Sequence, residues 1–228
     1  MKARDIDCIV FDLDGTLIDS AKGIDRCVRE VLEKRGYQKF DGEFLKKSIG
    51  VYPIDEIFVR TVRKGEVDEC TNEFKQRYAR TLTRDVILLD GAYETVNALR
   101  NQRYKVAVYT LKMRNHAQKV LDHFSIDVDR ILAGEIIGDD KSSCDGLREL
   151  VQSLGSEPER SMIVGDQWSD ISAGKNSGIN TVGILGGFGT FEELNKYAPD
   201  YLIGKVSDLL YLLNGISRGY PGEPNKFG

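Results

Sequence analysis

The chain has 228 residues, 41% hydrophobic and 30% charged, which leaves room for one α/β domain with an insertion or for two modest domains. Its net charge of −4 and pI near 5.4 give no basic face for nucleic acid, and no apolar run approaches the ~20 residues that cross a bilayer. Cys8, Cys27, Cys70 and Cys144 form no C-x-x-C pair, so neither a zinc knuckle nor a disulfide framework is indicated.

The first residues, "MKARDIDC", are charged and lead straight into an apolar block, leaving no space for a signal peptide; a cytoplasmic protein is expected. That block, Cys8, Ile9, Val10, Phe11, ends on two acids one residue apart, Asp12 and Asp14. Residues 20 to 85 then carry helix-like segments with no strand between them: "IDRCVREVLEKRG", "GEFLKKSIG", "IDEIFVRTVRK" and "VDECTNEFKQRYARTL". Gly36, Gly50 and Gly65 fall between these segments and fit turns. The sheet is expected to resume near "VILLDGAY", followed by strand-like blocks at "YKVAVYT", "RILAGEI", "SMIVGD", "NTVGIL" and "DYLIG". Most of these blocks lack polar alternation, as strands covered on both faces do, and helical spacing separates them. The pattern predicts a doubly wound α/β fold, a Rossmann-like parallel sheet with an inserted all-helical cap. Residues 1–18 and 86–214 would form the core domain, 19–85 the cap and 215–228 a loose Gly/Pro-rich tail.

In an open parallel sheet, ligands bind beyond the carboxyl ends of the strands. That rule brings Asp12 and Asp14, Thr110, and Asp166 and Asp170 to one rim. Four carboxylates without a neutralising charge repel one another, and a hard divalent cation resolves the conflict; oxygen ligands with an opening for phosphate favour Mg²⁺. Asp12 is then positioned as a carboxylate nucleophile that forms an aspartyl-phosphate, and Asp14 as the acid and base that serves the leaving oxygen and the attacking water. Thr110 can donate to a phosphoryl oxygen, and Lys141 is the best cation to neutralise the charge developing there.

"DLDGT", "VYTLK", Lys141 and "VGDQWSDISAGKNSG" together resemble the haloacid dehalogenase superfamily, in the expected order and over nearly the whole chain. The resemblance implies Mg²⁺ held by Asp12, Asp166 and the Asp14 carbonyl with Asp170 close by, and phosphate contacts from Leu13, Asp14, Thr110, Leu111 and Lys141. Asp14 is the residue that the dehalogenases and phosphonate-cleaving members lack, so phosphoryl transfer is favoured. "FDLDGTLIDS" and "GGFGTFEELNKYAPDYLI" look most like the phosphoglycolate phosphatase branch. The implied function is hydrolysis of a small phosphorylated metabolite by a monomer or homodimer. The alternatives are a sugar-phosphate mutase, a pyrophosphatase, a nucleotidase and, in a different class, a non-catalytic phosphate-binding regulator. Two positions depart from the family: Ser142 follows Lys141 where proline is common, and Leu111 stands where a small or polar residue is frequent. In the cap, the loop "SIGVYPID" corresponds to the region where the related enzymes present substrate-selecting residues; Arg60, Arg63, Arg77 and Arg80 are candidates to meet a substrate carboxylate, against a solvated helix face as the ordinary role of each. Lys112 and Lys175 are rival cations to Lys141. His116 and His123 are expected to pack or face solvent, and Trp168 to pack at the rim.

Overall fold

The computed structural model describes residues 6–138, 140–143 and 145–215, so Cys144 and the tail from residue 216 lie outside the described residues. Six parallel strands form the main sheet: β1 (Cys8–Phe11), β4 (Lys105–Tyr109), β5 (Arg130–Leu132), β6 (Ser161–Gly165), β7 (Asn180–Ile184) and β8 (Tyr201–Ile203). Their order is β5-β4-β1-β6-β7-β8. The chain leaves β1 toward β4 on one side and reaches β6 on the other, so the order reverses at β1. Such a reversal opens a crevice beyond the strand ends, and Asp12 sits at its mouth.

Side-chain alternation explains why the strands read as unbroken apolar runs. Ile9 and Phe11, Val106 and Val108, Met162 and Val164 enter one hydrophobic cluster; Cys8 and Val10, Ala107 and Tyr109, and Ile163 enter the other. Helices α5 (Ala92–Asn101), α6 (Arg114–His123) and α11 (Asp208–Leu213) cover the first face, and α8 (Gly146–Ser153) and α9 (Trp168–Ser177) the second. Both faces are dry, so neither tolerates a polar stripe. The block "RILAGEI" is strand only as far as Leu132; Gly134–Ile137 turns into the short helix α7. A six-residue helix, α10 (Phe191–Lys196), precedes β8. Among the described residues no helix is long and apolar enough to cross a membrane.

The stretch near "VILLDGAY" does not join this sheet. Ile87–Leu88 (β3) pairs antiparallel with Ile18–Asp19 (β2), and Leu89 N–H extends the ladder by donating to Leu17 O at 3.0 Å. Between those two short strands run α1 (Ala21–Lys34), α2 (Gly42–Ser48), α3 (Ile54–Val59) and α4 (Val67–Thr81). Helix α1 buries Ile24, Cys27, Val28, Val31 and Leu32, a 3.6-residue stripe, against Cys70, Phe74 and Tyr78 of α4.

Glu73 clamps the far end of this helical layer. It receives Arg35 at 2.7 Å, Arg77 at 2.8 Å and Lys34 at 3.0 Å, tying the C-terminus of α1 to α4. Burial pushes the Glu73 carboxyl up, but hydrogen bonds from Arg35, Arg77 and Lys34 outweigh it and bring it from 4.5 down to about 2. A depressed carboxyl contributes stability above its unfolded value that is lost as pH falls through the folded one. Glu73→Gln is therefore expected to cost about 1–2 kcal/mol at neutral pH. In urea unfolding, the gap between the two proteins should close as pH drops from 4.5 toward about 2; a gap independent of pH would contradict it.

Candidate active site

Strand ends set the site. Asp12 N–H continues the sheet by donating to Val164 O at 2.9 Å, which fixes the Asp12 carboxyl beside β6 and the turn that follows it. Gly15 then reverses the chain at φ +92°, and a Cβ there would lie 2.3 Å from Asp166 Oδ2, so only glycine lets the two acidic segments meet. Thr16 donates to Asp166 Oδ1 at 2.9 Å, and Phe188 N–H to Asp166 Oδ2 at 2.7 Å. Asp170 sits in the first turn of α9, where its Oδ2 accepts Gln167 N–H at 3.0 Å in a capping box. One carboxylate oxygen each from Asp12, Asp166 and Asp170 lies within 4.8 Å of the others, all three residues buried.

The fourth carboxylate stands apart, because two buried lysines divide the acids between them. Lys141 Nζ lies 2.6 Å from Asp12 Oδ1 and 2.7 Å from Asp170 Oδ1. Lys112 Nζ lies 3.0 Å from Asp14 Oδ1, which also accepts the Ser20 hydroxyl. Burial alone would discharge both ammoniums; Asp12 and Asp170 hold Lys141 above its usual range, and Asp14 and Tyr78 do the same for Lys112. Lys141 and its rival Lys112 thus serve different acids, and the other rival, Lys175, pairs with the exposed Asp200 at 3.3 Å. Burial drives the Asp12 carboxyl well up, Lys141 opposes, and Asp170 and Asp166 add to the rise. Asp166 is raised to about 7 by burial and by Asp170.

Lys141 is seated without the family's proline. Its carbonyl accepts the Tyr109 hydroxyl at 2.7 Å, and Asp140 Oδ1 accepts Ser142 N–H at 2.9 Å and Ser142 Oγ at 2.6 Å. This Asx turn fixes the backbone through an N–H that proline lacks.

These groups fit a divalent cation. Asp12 Oδ2 is buried with no hydrogen-bond partner among the described residues, beside two more carboxylates. With Lys141 charged, the three acids keep an excess of negative charge in a dry site, which an oxygen-seeking cation would relieve.

Other expectations are met differently. Thr110 is buried at the end of β4, where its Oγ1 accepts Lys112 N–H at 3.2 Å, leaving the hydroxyl hydrogen for an acceptor in the crevice. Leu13 buries its side chain in the core, and its carbonyl accepts Leu17 and Ile18 N–H at 3.0 Å, so a phosphate contact from Leu13 rests on its amide. Leu111 is half-buried and lines the crevice. His116 packs edge-on to Tyr78, His123 edge-on to Phe124, and Trp168 stacks on Tyr197 at 5.1 Å.

Between the helical insertion and the sheet rim lies a cavity of about 610 Å³, reached by Asp14, Thr110 and Lys112 from below and by α4 from above. None of the four candidate arginines lines it: Arg60 stacks on Phe44 and Tyr52, and Arg77 is tied to Glu30 and Glu73. The loop around Gly50 does reach the rim. Gln167 Nε2 donates to Ile49 O and Ser169 Oγ to Gly50 O, both at 3.2 Å. Gly50 adopts φ +79°, and a Cβ on it would stand 3.6 Å from Asp12 Oδ2. Thr16, Ser20, Gln167 and Phe188 escaped the sequence reading as site residues. The signal for them was adjacency: each lies within or beside the quoted motifs, but only the fold supplies a partner.

Residues 9–184 match the family model for haloacid dehalogenase-like hydrolases. The chain belongs to this family. Among curated relatives of this haloacid dehalogenase-like hydrolase, a phosphoglycolate phosphatase of Aquifex aeolicus is 32% identical over 211 residues, covering 90% of this chain and 96% of its own. The pyrophosphatase PpaX of Bacillus velezensis is 28% identical, covering 93% and 98%, and a 5'-nucleotidase of Pseudomonas aeruginosa is 29% identical, covering 90% and 94%. A solved haloacid dehalogenase-like family hydrolase of Streptococcus pneumoniae superposes with a TM-score of 0.82 at 25% identity, covering 90% of this chain and 97% of its own.

Proposed function

We propose that this hydrolase is a Mg²⁺-dependent phosphatase that cleaves a small phosphorylated metabolite through a phosphoryl-Asp12 intermediate. The observation that carries the reading is Asp12 itself: Oδ1 is held by Lys141, and Oδ2 is buried and unpartnered among the described residues at the mouth of the crevice. The names of the relatives point the same way, since phosphoglycolate phosphatase, pyrophosphatase and 5'-nucleotidase all describe release of phosphate.

In the proposed reaction an Asp12 oxygen bonds to phosphorus as the bond from phosphorus to the leaving oxygen breaks, and Asp14 delivers its proton to that oxygen. Asp14 then takes a proton from water as the water attacks phosphorus and the Asp12–phosphorus bond breaks. Lys112 and Ser20 fix the Asp14 carboxyl for both transfers. Lys141 steadies Asp12 and meets charge developing on the phosphoryl oxygens, to which Thr110 donates its hydroxyl. Asp12, Asp166, Asp170 and the Asp14 carbonyl would hold the Mg²⁺, whose charge, when bound, offsets that of the phosphoryl group. The helical insertion acts as a lid that excludes water.

Phosphate release from a generic aryl phosphate is expected with Mg²⁺, to vanish in excess EDTA and to return on adding Mg²⁺. Full activity in EDTA would contradict the metal dependence.

A further inference from the structure

We propose that Tyr78, on helix α4 of the insertion, is a positioning residue for Asp14, acting through Lys112, so that proton delivery to the leaving oxygen is assembled only when the insertion sits on the sheet rim. The proposal rests on the phosphatase reading above and adds to it a link between lid closure and chemistry.

A chain of polar contacts crosses from insertion to core. Lys112 Nζ donates to the Tyr78 hydroxyl at 3.0 Å and lies 3.0 Å from Asp14 Oδ1. The backbone N–H of Lys112 donates to Thr110 Oγ1 at 3.2 Å, which ties the lysine to the residue assigned above to the phosphoryl oxygens. Tyr78 is itself placed from both sides. Its ring stacks on Phe74 of the insertion with centroids 5.4 Å apart, and His116 of α6 meets it edge-on at 5.9 Å from the core. Asp14, Tyr78, Lys112 and His116 all border the same cavity.

Burial gives these contacts their weight. The Lys112 side chain is 5% exposed and that of Asp14 7%. An ammonium carries three donors on a flexible stem, and in a dry site a donor without an acceptor is costly. Asp14 supplies one acceptor and the Tyr78 oxygen a second, while the Tyr78 ring covers the charge with Nζ 5.0 Å from its centroid. Lifting the insertion removes hydroxyl and ring together and lets water surround Lys112, where an ammonium holds a carboxylate far less firmly. Asp14 then keeps the Ser20 hydroxyl but loses the fixed charge that aims it.

Elsewhere the insertion meets the rim through its backbone. Gln167 and Ser169 donate to the carbonyls of Ile49 and Gly50, which seats the loop near Asp12. Tyr78 instead brings a side chain to a charged group of the site.

The test is kcat/KM on a series of substituted phenyl phosphates, whose leaving oxygens differ in their need for a proton, for the wild type, Tyr78→Phe, Lys112→Met and the double variant. Because kcat/KM covers only the steps through departure of the leaving group, it separates proton delivery from the later attack of water. Tyr78→Phe keeps the ring and removes the hydroxyl; it should lose about tenfold on unsubstituted phenyl phosphate and less than about twofold on dinitrophenyl phosphate. Lys112→Met should steepen the leaving-group dependence at least as much, and adding Tyr78→Phe to it should change little, since the tyrosine acts through the lysine. The control is Tyr37→Phe, whose hydroxyl bonds Glu66 away from the cavity, and it should leave the dependence unchanged. An equal loss on both phosphates in Tyr78→Phe, no loss on either, or a further tenfold loss on adding it to Lys112→Met would overturn the proposal and leave the phosphatase reading standing. An unchanged dependence in Lys112→Met would overturn it too, which keeps it refutable even if Tyr78→Phe does not fold. Absence of wild-type turnover on every phosphate in the series with Mg²⁺ would overturn the phosphatase reading and this one with it.

Discussion

An Asp12→Asn variant is expected to fold with a near-native thermal midpoint and to release phosphate about a thousandfold more slowly, or less than that, under saturating Mg²⁺. The fold should survive because Lys141 keeps Asp170 at 2.7 Å, so no buried ammonium is stranded, and one member of a crowded acidic cluster is removed. Activity should not survive, because an amide oxygen is a poor nucleophile toward phosphorus and cannot carry the phosphoryl group. Steady-state phosphate release on both proteins decides the matter. A wild-type rate in Asp12→Asn would remove Asp12 from the chemistry.

Removing Lys141 has the opposite balance, with both stability and turnover lost. The ammonium is fully buried between Asp12 and Asp170, and Lys141→Met leaves those two carboxylates facing each other and Asp166 without a cation. Stranding one side of a buried ion pair costs about 3–5 kcal/mol, which for a chain of this length is a drop of roughly 10 °C in thermal midpoint. The matched control is Lys175→Met, whose partner Asp200 is 43% exposed, and there the expected cost is about 0–1 kcal/mol. Combining Lys141→Met with Asp12→Asn should cost less than the sum of the two, because the second change removes one of the stranded charges. Calorimetry on the wild type and the four variants reads this directly; equal midpoints for Lys141→Met and Lys175→Met would show that the buried pairs carry no weight.

The strands were legible because a parallel strand covered on both faces has no polar position: Cys8 to Phe11 and Ser161 to Gly165 are buried at every residue. Helix α1 was legible for a related reason, since its buried stripe repeats over three turns. The β2–β3 pairing was not, because two residues per strand carry no period and their register comes from the chain crossing between sheet and helices. At the site, Asp12, Asp166 and Asp170 could be gathered on one rim from the strand-end rule alone, and they do lie together. How the charges are shared was out of reach: that Lys112 goes to Asp14 and Lys141 to Asp12 depends on contacts between distant segments. The arginine expectation failed for a physical reason. Arg77 satisfies Glu30 and Glu73, and Arg60 lies over Phe44 and Tyr52, so neither is left to meet a ligand.

The most direct measurement is acid-quenched single-turnover labelling, with enzyme in excess over an aryl phosphate carrying radiolabelled phosphorus, followed by peptide mapping. Transient label on the peptide containing Asp12, released by hydroxylamine and absent from Asp12→Asn, is the result expected here. Complete release of inorganic phosphate with no label ever attached to the protein would mean that water attacks phosphorus directly and would contradict the account.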